Sequence, residues 1–149
     1  MLTFRYIKRS KARKELMELQ RDLLFYEPLY LAVHPFHEWF QEKWELMRAR
    51  SKMKLETDSD LYREVILHIP VHLMVFKQAI RDYGNEADTS FFEETIEYIE
   101  HLLDTGDEKH HYMIIFDQMQ IFERAEFYLY LKKREAELLT LLGIKGDEN

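Results

Sequence analysis

Residues 61–80 read LYREVILHIPVHLMVFKQAI. Leu61, Tyr62, Val65, Ile66, Ile69, Leu73, Phe76 and Ile80 recur there at steps of three and four. That is the period of one helix face, not the two-residue alternation of a strand. Pro70 interrupts the face. Lacking an N–H and crowding the turn before it, it is expected to kink the helix or split it in two. Gly84 is expected to end the segment.

The same period extends outward in both directions. The chain of 149 residues carries only 4 Gly and 3 Pro, and long stretches are rich in Leu, Glu, Lys, Met and Gln. Upstream, a first helix is expected from about Phe4 to Tyr26. Pro28 suits the first turn of a short new segment, and Pro35 opens a third from Phe36 to about Lys54. Residues Glu56 to Asp60 read as a turn, with Thr57 and Asp60 spaced for a capping box.

Downstream, Ser90 and Glu93 form a second capping-box candidate. Phe91, Phe92, Ile96, Ile99, Leu102 and Leu103 supply the face behind it, and Thr105-Gly106-Asp107 breaks the chain. From Asp107 to Leu142 there is neither Gly nor Pro. One helix of that length would run about 54 Å, so a bend, an unmarked break or a long dimerising helix is expected. Tyr112, Ile115, Met119, Phe122 and Leu129, with the strip Met113, Phe116, Phe127 and Tyr130, are wider than a coiled-coil seam. The fold class expected is all-α: a compact bundle of about five to seven helices over residues 1–142, with 143–149 as a tail.

Composition removes several classes. With Cys 0 there is no disulfide scaffold, no thiol nucleophile and no thiolate metal site. No run of 18 apolar residues suits a membrane span, and the start MLTFRYIKRSKARKE has no signal core, so a cytoplasmic location is expected. No nucleophilic triad, phosphate loop or dinucleotide fingerprint is present, which argues against most enzyme classes and leaves metal oxidase chemistry open.

Charge is uneven. Residues 1–26 hold seven basic and three acidic residues, a net of +4, leaving −11 for the rest of a chain whose total is −7. The basic face could meet a phosphate backbone, but its interleaved Leu16, Met17, Leu19, Leu23 and Leu24 read as an ordinary packed helix, and no nucleic-acid-binding motif accompanies it. Glu93, Glu94, Glu97, Glu100 and Asp104 read as a solvated face or one that meets a basic partner.

The seven histidines offer a metal reading. His34 with Glu38, His68 with His72, and Glu97 with His101 are spaced i,i+4, and such pairs can bite one ion from one helix face. Converging, His34, Glu38, His68, His72 and His101 would form a transition-metal site of the di-iron or haemerythrin-like kind. The Glu-x-x-His repeat of the ferritin-like proteins is missing, and Pro70 lies between His68 and His72. His72 and His101 also stand 29 apart, near the spacing of the globin haem histidines, in a sequence that otherwise suits haem poorly.

The region His37–Ile80, HEWFQEKWELMRARSKMKLETDSDLYREVILHIPVHLMVFKQAI, places a Trp- and Met-bearing helix and a short polar stretch before D-x-x-L-Y-R-E-V and an apolar run. In this it resembles the non-haem globin-like sensor domains of bacilli, including the sporulation inhibitory proteins and the matching kinase sensor domain. The resemblance implies a globin-like dimer holding a fatty acid, with a halide nearby, in an apolar tunnel, and a role in withholding that signal from a sporulation kinase. Ten Phe, nine Tyr and seven Met suit an adaptable apolar pocket. The expected walls are Leu61–Ile80 and Tyr112–Tyr130, including Tyr112, Phe116 and Met119. Trp39, Trp44 and Phe76 would close the tunnel, and His68, His72 or Arg81 would meet the carboxylate or anion near an opened Pro70. The expected function is thus a non-catalytic ligand-binding sensor. The alternatives are a metal-binding bundle and a protein or nucleic-acid interaction module. A homodimer is expected from the aromatic excess at Phe122, Phe127, Tyr128 and Tyr130.

Overall fold

The computed structural model describes residues 2–52 and 59–144, and the side chains of 5–50 and 60–144. The capping box of Thr57 with Asp60 lies outside the described residues, as does the tail beyond Ile144. The described elements are α1 (Leu2–Lys52), α2 (Ser59–Tyr83), α3 (Ser90–Thr105), a 3-10 turn (Glu108–His110), α4 (His111–Ala125) and α5 (Phe127–Leu141). There is no strand among them, so the all-α class holds. A single residue, Glu126, separates α4 from α5. Taken as one interrupted helix they leave four helical segments, fewer than expected.

The shortfall comes from the prolines. Pro28 and Pro35 lie inside α1 and start no new helix, so one helix of 51 residues, about 77 Å, replaces the three expected. Pro70 likewise lies inside an unbroken α2. A proline removes the bond to the carbonyl four residues back, here at Leu24, Leu31 and Ile66. The helix nonetheless continues through each proline. No opened turn offers backbone donors at Pro70.

Helix α1 is the spine. Ala12, Leu16, Leu19 and Leu23 are buried along its first half, where it packs on α5; Val33, Phe40 and Met47 continue the buried face where it meets α2 and α4. Arg134 of α5 grips Glu15 through two hydrogen bonds of 2.6 and 3.0 Å, and this holds the Glu15 carboxyl below its ordinary range. The core is mostly aliphatic, with a cluster of aromatic rings at its centre. Phe76 lies 6.2 Å from Phe92 and 5.4 Å from Phe122, and Phe40 lies 5.3 Å from Phe122. These rings pack beside the buried side of Leu61–Ile80.

The breaks have local causes. Gly84 ends α2, because a side chain there would stand 2.5 Å from the Ile80 carbonyl oxygen that its own N–H reaches. Helix α3 does not start with the expected Ser90–Glu93 box. Thr89 is the N-cap, its hydroxyl donating to Glu93 at 3.1 Å, while Asp88 accepts from the Ser90 N–H. Gly106 takes φ 64°, closing α3 in the left-handed conformation, and Asp107 caps the 3-10 turn by accepting from the Lys109 N–H. The unmarked break in 107–142 falls at Glu126.

Candidate functional site

Two places gather the residues singled out in the sequence. The first is a ring cluster where α1, α2 and α4 meet. His72 is buried, its ring 4.9 Å from Phe36, 5.5 Å from Phe122, and 6.2 Å from both Trp39 and Phe40. Its Nδ1 has no hydrogen-bond partner. Burial pushes the imidazole down to about 4, with a smaller effect of His68 in the same direction, so His72 is neutral at pH 7. His68 lies on the exposed edge, 4.5 Å from Trp39, with Nδ1 2.8 Å from the Glu64 carbonyl oxygen. Trp44, Tyr112 and Phe116 form a separate, more exposed group, with Trp44 6.0 Å from Tyr112. Met119 and Phe76 are core residues.

The metal-reading residues do not converge. His34 pairs locally with Glu38 at 3.1 Å, His68 and His72 belong to the ring cluster, and His101 is exposed on α3. Among the described residues no group of three or more His, Asp or Glu is arranged to hold a metal ion. His72 is enclosed by rings of α1 and α4, whereas His101 is exposed on α3. Sequence reasoning missed two buried polar groups nearby. His37 is stacked on Phe122, and its Nδ1 is 2.8 Å from Glu126 Oε1, which ties α1 to the α4–α5 break. Burial pulls the His37 pKa down, opposed by the Glu126 carboxylate. The Val33–His37–Phe40 spacing was the available signal for its burial. Gln118 is completely buried on α4 with neither amide atom bonded, and nothing in the sequence marks it.

The second place is a groove between α2 and α3. Phe92, Ile96, Ile99 and Leu102 bury one face of α3. The neighbouring stripe, Glu93, Glu97, Glu100 and Asp104, follows the i, i+4, i+7, i+11 pattern and forms one wall of the groove. Helix α2 supplies the other wall, with Lys77 and Arg81 as its cations. The Lys77–Glu100 ion pair spans the gap and divides it into clefts of about 370 and 330 Å³. The first is floored by Ile80 and Ile96, the second by Pro70, Leu73 and Leu103. Leu67, Val71 and Met74, all exposed, extend the apolar surface along α2. Arg81 therefore lines this groove and not the His72 ring cluster.

No helix among the described residues is long and apolar enough to cross a membrane. No protein family, curated protein or solved structure matches the chain.

Proposed function

We propose that the protein is a non-catalytic interaction module that receives a basic amphipathic helix of a partner protein in the α2–α3 groove. The carrying observation is the groove itself: an apolar floor with four carboxylates on one wall and two cations on the other. From Pro70 to Arg81 it spans about three helical turns, the footprint of one short helix, which would enter by displacing the exposed Lys77–Glu100 pair. A partner's apolar stripe would lie on Met74, Ile80 and Leu103 while its Lys or Arg residues meet Glu93, Glu97 and Asp104. Among the described residues no group of three or more His, Asp or Glu is arranged to hold a metal ion.

The test is direct. A fluorescently labelled helical peptide of Leu and Lys, with an apolar i, i+3, i+4, i+7 face, should bind the full chain in low salt and weaken as salt rises. Glu97→Lys with Asp104→Lys should reduce the affinity about tenfold or more. No binding at tens of micromolar, or binding indifferent to those substitutions, overturns the reading.

A further inference from the structure

A different surface carries a second inference. Met17, Leu24 and Leu31 of α1 are among the most exposed large apolar residues of the molecule, at 72%, 69% and 63%. They are seven residues apart, two helical turns each, so they form one stripe. The stripe faces away from the buried row Leu16, Leu19 and Leu23, so α1 is apolar on two sides and the bundle covers only one.

The charges of α1 say what fits the other side. Residues 5–21 contain seven basic and two acidic side chains, a net of +5; residues 27–43 contain three acids and one base, a net of −2. The sign changes close to Leu24, the middle of the stripe. A helix with this distribution complements itself when a second copy runs antiparallel, residue i facing residue 48 − i. Leu24 then meets Leu24, Met17 meets Leu31, and Arg9 and Arg13 come to the level of Glu38 and Glu42. Arg9 and Arg13 have no ion-pair partner among the described residues, and Glu38 pairs only with His34. A parallel arrangement would set the basic halves against each other.

We infer that the exposed stripe of α1 is the seam of an isologous homodimer, with its two-fold axis at Leu24 and antiparallel α1 helices. This rests on α1 alone and is independent of the groove. It also relocates the expected dimer surface. Of the rings that suggested one, Phe122 is core, Phe127 lies 5.2 Å from Tyr26 and Tyr128 stacks on Tyr30 at 4.8 Å, all within one chain, while Tyr130 alone stays exposed, stacked on Phe127.

The chain has no cysteine, so each introduced thiol is the only one. Under mild oxidation Leu24→Cys should form a disulfide-linked dimer. Met17→Cys alone should not, since its mate lies about 21 Å away along the seam; mixed with Leu31→Cys it should form a cross-linked pair. Sedimentation should show the wild-type chain as a dimer at tens of micromolar, and Leu24→Glu, an exposed position, should raise the dissociation constant about tenfold or more with the melting curve of the diluted monomer unchanged. Arg9→Glu with Arg13→Glu should weaken the dimer, and adding Glu38→Lys with Glu42→Lys should restore it. A monomer at about 100 µM, or self-linking of Met17→Cys as efficient as that of Leu24→Cys, overturns the inference.

Discussion

Replacing His72 with Phe tests the account of the core most sharply. The imidazole is enclosed by Phe36, Trp39, Phe40 and Phe122, with Nδ1 unpaired, and its pKa lies at about 4 against an ordinary 6.5. The folded state therefore binds the proton more weakly than the unfolded chain. The stability tied to neutral His72 is fully present above pH 6.5 and is lost as pH falls toward 4. Linkage over that interval amounts to about 3 kcal/mol, of which about 2 kcal/mol is gone by pH 5. Phe has nearly the same shape, no proton to gain and no orphaned nitrogen, so His72→Phe should lose less stability on acidification. The assay is urea unfolding of both proteins at intervals between pH 8 and 4.5. The carboxylates and His37 titrate in both and cancel in the difference. The difference curve should rise in favour of the variant by about 2 kcal/mol between pH 7 and 5. Parallel curves for the two proteins would refute the burial of a neutral His72, whatever the constant offset between them.

Two further outcomes follow from single positions. Gln118→Met replaces a buried, unbonded amide by an apolar side chain of similar length, and should stabilise the fold by about 1–2 kcal/mol in urea unfolding at pH 7; a loss of stability would show that the amide is satisfied. Gly106→Ala meets no steric obstacle but forces a side chain onto φ 64°, so it should cost about 1 kcal/mol, read as a lower thermal midpoint; an unchanged midpoint would mean that α3 ends without the left-handed turn.

The helical class was legible because periodicity is local. The recurrence from Leu61 to Ile80 reports which side of a helix is apolar without reference to any neighbour, and Val65, Ile69, Leu73 and Phe76 are indeed the buried side of α2. Gly84 and Gly106 marked breaks for equally local reasons. The prolines did not, because a proline's cost depends on what surrounds the carbonyl it releases and on the packing that holds the helix on either side, and neither is local. The break at Glu126 carries no Gly or Pro and has a tertiary setting, with His37 of α1 anchoring the residue between α4 and α5.

The sites divide along the same line. Residue chemistry was readable: an acidic period along α3, an isolated Arg81, histidine pairs at helical spacing. Juxtaposition was not. Spacing along one helix cannot say that Arg81 and Lys77 face the acidic wall of α3, that His101 lies apart from His72, or that four rings close around His72 and strip it of its charge. The sequence by itself determined the helical class and the apolar sides of α2 and α3, since those follow from interactions within a few residues, whereas much of the strip read over 112–130, including Tyr112, Met113, Phe116, Leu129 and Tyr130, is exposed. Only the tertiary structure decided which sides meet and which stay open, because packing joins residues far apart in the chain and leaves no period to read.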